Sequence, residues 1–245
     1  MVNMVDNKSW KVFTYIFFAL VVADIIALNL YDGQSVFTAN NFILHVIIKP
    51  LIMLSALCFL VKYYSHKAYH KWMLVAFMYS LLGDILLMGQ GISEIFFIGG
   101  LTAFFIVQLG YIIYFHRSAA STVRPNTNAT ILKLHGFVIL FAIGLYSLML
   151  PNLGLLAIPV LLYLIIVALM GVVALGRYER VNFNAFFYTI IGAFAFILSD
   201  SIIGYNKFID EIPFASTFIM LFYCIAQYMI LKGFIALRSA DDLRA

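Results

Sequence analysis

Residues 154–175 read GLLAIPVLLYLIIVALMGVVAL, and no charge interrupts them. Wound as a helix at 1.5 Å per residue, a stretch of that length reaches about 33 Å. The hydrocarbon core of a bilayer is roughly 30 Å thick. A helix on the surface of a soluble domain carries a polar stripe opposite its apolar one. This stretch is apolar all round. It is therefore read as a membrane-spanning helix, and the rest of the chain has to be read in the same solvent.

Working outward, seven more stretches have the same character. The eight are expected at about 11–30, 42–62, 72–89, 95–115, 131–150, 154–175, 184–205 and 213–236. Turn-forming or charged residues separate them: Asp32-Gly33-Gln34-Ser35, Gly89-Gln90-Gly91, Arg124-Pro125-Asn126 and Pro151-Asn152-Leu153-Gly154. The composition agrees. Of 245 residues, 64% are hydrophobic and 11% charged, against about 25% charged in a soluble domain. No loop is long enough for a second domain; the longest runs from Arg117 to Thr130. The expected fold is all-α: a single domain, residues 1–245, built as an integral membrane bundle of about eight transmembrane helices. Lys8 and Lys11 precede the first apolar run, which lacks a small-x-small cleavage pattern. That run is read as a retained helix rather than a signal peptide.

The formal net charge of +4 is no nucleic-acid signature, because the basic residues lie in short loops where topology and anionic headgroups account for them. Of the 15 Lys and Arg, all but Lys207 and the intramembrane Lys49 fall on one side of an eight-helix chain. Both termini are therefore expected in the cytoplasm, and in a bacterium the membrane would be the inner one. Seven or nine helices would scramble this asymmetry. Cys58 and Cys224 lie in apolar runs and read as packing residues. With no CxxC or Cys/His cluster, neither metal nor cofactor is expected. His66 and His70 form an HxxxH without the Glu of HExxH, flanked by Lys67 and Lys71, a poor metal site. No GxSxG elbow, phosphate-binding loop or dinucleotide glycine pattern occurs.

The informative residues are polar ones at membrane depth. Asp24, Lys49, Asp84 and Asp200 fall inside the apolar runs, where an ionisable side chain costs several kcal/mol unless paired or wet. Counted at 1.5 Å per residue from the helix ends, all four lie roughly 8–11 Å below one edge of the hydrocarbon. Four charges at one level point to one shared polar cavity; the alternative is an ion pair of Lys49 with one Asp that serves packing only. Asp24 is the weakest member, since it could satisfy itself locally. Ser80 lies one turn from Asp84 and shares its face. Gly83 suits close approach of a substrate or of another helix. His45 is one turn from Lys49, and a lone membrane histidine is more often hydrogen-bonded structure than a catalyst. Asp200 and Lys207 share a face, with Asn206 beside them; Lys207 also reads as a headgroup anchor.

A short internal echo accompanies these residues. Tyr79-Ser80-Leu81-Leu82-Gly83-Asp84 in the third predicted helix resembles Phe196-Ile197-Leu198-Ser199-Asp200 in the seventh. Tyr111 and Gln227 follow the two aspartates at the same interval. The match is open between a parallel 4+4 duplication and chance.

At these residues the chain resembles the lysoplasmalogenase family of polytopic membrane enzymes, the YhhN-like proteins. The resemblance is carried by Lys49-Pro50, Leu82-Gly83-Asp84, Phe104-Phe105 through Tyr111, Leu198-Ser199-Asp200-Ser201 with Asn206-Lys207-Phe208, and Tyr223 with Gln227. Each piece is short; their order and spacing over most of the chain give them weight. One departure stands out. The family often has His three residues before the tyrosine of the fourth helix, and this chain has Gln108. Glutamine hydrogen-bonds but cannot shuttle a proton near neutral pH.

The resemblance implies a membrane hydrolase that cleaves the vinyl ether of lysoplasmalogens to a fatty aldehyde and a glycerophospho-base. The residues suit that chemistry. Protonation of the alkene carbon creates an oxocarbenium ion, so the reaction needs a neutral acid and an anion, as in glycoside hydrolysis. Asp84 and Asp200 are the expected catalytic pair. Lys49, Ser80, Tyr111, Gln108, Ser199, Asn206, Tyr223 and Gln227 are the expected substrate-binding or charge-stabilising residues. The partners implied are a lysophospholipid substrate and membrane lipid. Two other classes stay open: a small proton-coupled transporter, for which intramembrane Asp and Lys are equally natural, and a non-catalytic lysolipid-binding membrane protein.

Overall fold

The structure, a computed structural model, describes residues 6–29, 36–63, 68–119 and 128–242, with only the backbone described at 36–42 and 238–242. The Asp32–Ser35 turn, His66, Lys67, the Arg124–Asn126 stretch and Arg244 lie outside the described residues. Eight long helices follow in order: α1 Asn7–Asn29, α2 Val36–Lys62, α3 His70–Met88, α4 Glu94–Ser118, α5 Ala129–Met149, α6 Ala157–Leu175, α7 Phe183–Phe208 and α8 Ala215–Asp242. Each is long and apolar enough to cross a membrane, and no strand occurs among the described residues. The protein is a multi-pass membrane protein of the expected all-α class.

The helix ends follow local chemistry. Ahead of α1 stands Asp6, whose carboxylate accepts the Ser9 N–H. Asn128 caps α5 by accepting from Thr130 N and Ile131 N at 3.0 and 3.3 Å. Asn182 caps α7 by accepting from Ala185 N at 2.9 Å. Such caps satisfy amides that the helix itself leaves open. The caps place the starts of α1 and α5 earlier than hydropathy alone predicts. At the other end of the chain, α8 continues past the apolar run into polar sequence. The expected turn at Pro151–Gly154 forms two single turns of 3₁₀ helix, Leu150–Asn152 and Gly154–Leu156. Gly154 takes φ +50 there, a conformation that disfavours a Cβ.

The chain forms two compact units, residues 1–107 and 108–245. In the first, the buried stripe of α1 is Phe13, Phe17, Val21, Asp24 and Ala27, spaced three or four apart as one helical face requires. Phe13 stacks on Phe59 of α2 with ring centres 4.4 Å apart. The buried stripe of α3 is His70, Met73, Phe77, Ser80 and Asp84. In the second unit α7 and α8 approach most closely. A Cβ at Gly233 would come within 2.5 Å of Thr189 Oγ1, and one at Gly192 within 2.9 Å of the Ala226 carbonyl. With no hydrophobic driving force between helices in lipid, small residues of this kind let backbones pack. Leu145, Met149, Leu153, Val160 and Leu164 join α5 to α6.

The outer surface is apolar. Ile158, Leu162, Ile165 and Leu169 form one exposed stripe along α6, and Leu132, Leu140, Ile143 and Leu148 are exposed on α5. In water these would be a liability; against acyl chains they cost nothing. Cys224 is buried as expected, but Cys58 is exposed. Its position in an apolar run reflects a lipid-facing surface, not internal packing.

Candidate functional site

In the first unit the intramembrane charges pair. Asp24 sits in the middle of the α1 packing stripe and is fully buried. Its Oδ1 lies 2.7 Å from His45 Nδ1 on α2, with the imidazole donating and the carboxylate accepting. The weakest candidate of the sequence reading is thus buried and partnered. One turn on from His45, Lys49 Nζ stands 4.0 Å from Asp84 Oδ1, with both side chains largely enclosed. Ser80, one turn before Asp84, is also buried. Gly83 serves helix approach: a Cβ there would meet the Phe104 ring of α4 at 2.8 Å. The sequence left open which aspartate Lys49 faces; the unit pairs it with Asp84. Such a pair is weak evidence for stability, because desolvating two charges offsets most of their attraction. It is better evidence for function.

In the second unit Asp200 Oδ2 accepts the Tyr163 hydroxyl at 2.8 Å. Among the described residues Asp200 takes part in no ion pair. Gln108 is fully buried. Its amide comes near the Tyr163 hydroxyl, yet meets hydrogen-bonding geometry with no described residue. Tyr111 and Gln227, matched in the sequence by their interval from the two aspartates, meet each other: Tyr111 donates to Gln227 Oε1 at 2.5 Å, both fully buried. The Tyr223 ring packs edge-on against Phe196, which also meets Tyr111 edge-on.

Other candidates are held by the backbone. Ser199 donates to the Ile219 carbonyl at 3.1 Å, tying α7 to α8. Asn206 Oδ1 accepts the Ile212 N–H at 2.8 Å and shapes the turn after α7. Lys207 is exposed, with Nζ 5.9 Å from the Phe208 ring centre, as a headgroup anchor would be. Among the described residues no group of three His, Cys, Asp or Glu comes together.

Two functional-looking residues escaped the sequence reading. Tyr163 was detectable, since it is the only side chain in α6 with a strong hydrogen-bonding group. Arg177 was counted as a loop charge, but it is buried. It donates to Ser118 Oγ at 2.6 Å and to the Phe115 carbonyl at 3.3 Å, and its guanidinium lies over the Tyr114 and Phe115 rings. A cation there complements the C-terminal end of α4. No local pattern distinguishes such an arginine from one in a loop.

The set in hand is therefore a pair of membrane-depth carboxylates in different settings, Asp84 beside a cation and Asp200 beside a phenol. No curated protein matches the chain, and no solved structure does. The model of the YhhN family matches residues 44–234, from the middle of α2 to the last turns of α8, and so includes Lys49, Asp84, Gln108, Tyr111, Asp200 and Gln227. With most of its length matched, the chain belongs to the YhhN family, the family of lysoplasmalogenases.

Proposed function

We propose that the protein hydrolyses the vinyl ether bond of lysoplasmalogens, releasing a fatty aldehyde and a glycerophospho-base. The observation that carries the reading is the unlike pairing of the two carboxylates: Asp84 faces Lys49, whereas Asp200 is bound to Tyr163 and to no cation among the described residues. A reaction through an oxocarbenium ion needs one carboxyl to give a proton and one carboxylate to stay charged. In this reading Asp200 is the acid. It protonates the alkene carbon, and the Tyr163 hydroxyl orients it. Asp84 is the anion that stabilises the developing cation, and Lys49 holds it in place or meets the substrate phosphate.

Tyr111, Gln227, Gln108, Ser80 and Tyr223 are assigned to shaping and lining the substrate site. Ser199 and Asn206 are assigned to holding α7, because the Ser199 hydroxyl and Asn206 Oδ1 are engaged by backbone partners. The chemistry calls for no cofactor: water supplies the oxygen and the protein the proton. The buried Gln108 amide offers hydrogen bonds to a substrate oxygen, and buried polar groups are seldom left without partners.

The test is aldehyde release by purified protein in detergent. A lysolipid with a vinyl ether is compared with its saturated alkyl ether and its ester. Release from the vinyl ether alone supports the reading. A protein that binds all three and cleaves none is a lysolipid-binding protein. One that moves them only across a sealed vesicle is a carrier. Either result ends the hydrolase proposal.

A further inference from the structure

Gln108 and Gln227 are both fully buried in the second unit. Gln227 is met from within the protein, its Oε1 accepting the Tyr111 hydroxyl. Gln108 is different: neither its Oε1 nor its Nε2 has a hydrogen-bond partner among the described residues. Buried amides are rarely left so, because each bare group forfeits the bonds it had in water. Interior packing gives no reason for an amide there, since an apolar side chain of similar shape would avoid that loss. The neighbouring Tyr163 hydroxyl cannot supply Oε1. It has one O–H, and it gives that to Asp200 Oδ2 at 2.8 Å. One phenol hydroxyl thus stands between Asp200 on α7 and Gln108 on α4, which puts them within about two hydrogen-bond lengths of each other.

The open amide defines what fits it. Nε2 needs an acceptor and Oε1 needs a donor, whichever way the amide is turned. A phosphate or ether oxygen only accepts, and would leave Oε1 bare. An ammonium only donates, and would leave Nε2 bare. A hydroxyl does both from one oxygen. The glycerol of a lysolipid carries its free hydroxyl on the carbon next to the one that bears the ether chain. A substrate with its vinyl ether at Asp200 therefore brings that hydroxyl into the neighbourhood of Gln108.

We infer that Gln108 reads the free glycerol hydroxyl of the lysolipid and is the residue that selects a one-chain lipid over its two-chain counterpart. The inference rests on the vinyl ether reading, with Asp200 as the acid. Nε2 donates to the hydroxyl oxygen and Oε1 accepts its proton. A lipid acylated at that oxygen is refused twice: it has no proton for Oε1, and it carries a chain where the amide needs contact. Rejection of this kind is strong because the buried amide returns to its bare state when the hydroxyl is missing.

The experiment uses the purified protein in detergent and two matched pairs of lipids. The first pair is a lysoplasmalogen and its 2-deoxy analogue, in which hydrogen replaces the free hydroxyl; aldehyde release gives kcat/KM for each. The second pair is the saturated alkyl ether with and without that hydroxyl. It cannot be cleaved at a vinyl ether and gives binding alone. Wild type is expected to prefer the hydroxyl-bearing member of both pairs, by at least about 10²-fold in kcat/KM; sites built to bond a substrate hydroxyl reach roughly 10⁴–10⁵. In Gln108→Met the ratio should fall toward one, through loss on the hydroxyl-bearing lipid. Its melting temperature without lipid should stay at or above that of wild type, because no internal bond is broken. A wild type that treats the members of each pair alike overturns the inference. So does a Gln108→Met protein that keeps the wild-type ratio, or one that melts lower without lipid, since the amide would then serve the fold through an enclosed water. A wild type that releases no aldehyde yet binds the alkyl ethers according to the hydroxyl overturns the hydrolase reading and supports the Gln108 contact. Cleavage of both vinyl ethers at equal rates does the reverse.

Discussion

Asp84 and Asp200 respond differently to the same change of one atom. Asparagine is nearly isosteric with aspartate, carries no charge and cannot deliver a proton. At Asp200 it replaces a carboxylate that accepts the Tyr163 hydroxyl at 2.8 Å, and an amide oxygen can accept that bond. Asp200→Asn is therefore expected to melt near wild type and to lose at least about 10²-fold in aldehyde release. Near-normal release would move the acid elsewhere. At Asp84 the same change leaves the Lys49 ammonium, 4.0 Å away, facing a neutral group at membrane depth. Removing one member of a buried pair costs about 3–5 kcal/mol, whereas removing both is often neutral. Asp84→Asn and Lys49→Met should each lower thermal stability, and the double variant should recover most of it. Additive losses in this cycle would show that the two charges do not depend on each other.

The helices make their own demands. α7 and α8 are in backbone contact at Gly192 and Gly233, and a Cβ at Gly233 would stand 2.5 Å from Thr189 Oγ1 and 3.1 Å from the Ala185 carbonyl. Gly233→Val should destabilise the second unit by about 1–3 kcal/mol through overpacking. Gly136→Ala, which meets nothing within 4 Å, should leave the melting temperature unchanged or raise it, since Ala is the better helix former. Equal effects at the two sites would dismiss the close approach of α7 and α8. At the start of α1, the bond from Ser9 N–H, helped by the Ser9 hydroxyl and the Lys62 charge, holds the Asp6 carboxyl below the usual carboxylate range. A lowered folded value means that the cap stabilises α1 fully above that range and is lost as pH falls below it. Hydrogen-exchange protection at Ser9 and Trp10 should drop on acidification through that range. In Asp6→Ala it should be low already at neutral pH and show no acid limb.

For the whole molecule, the basic residues set the expectation for orientation. With eight spans, both termini share a side, and every Lys and Arg except Lys49 and Lys207 lies on it. A reporter fused after Ala245 should read cytoplasmic; a clear external signal would reverse the orientation of every helix. The sequence by itself determined the number of spans, their limits to within a few residues, and the residues that are anomalous in lipid. These are local properties: the cost of immersing a segment is the sum over its own side chains, so an apolar run or a charge within one can be read without neighbours. The tertiary structure decided who meets whom. It set Asp24 on His45, Lys49 on Asp84, Asp200 on Tyr163 and Tyr111 on Gln227, and drew Arg177 inside. Tyr163 stands out in the sequence as the one hydrogen-bonding side chain of an apolar helix, but nothing there names its partner, and Arg177 reads as one more loop charge. Their roles arise only when helices far apart in the chain bring donors within about 3 Å of acceptors, the range over which a hydrogen bond forms.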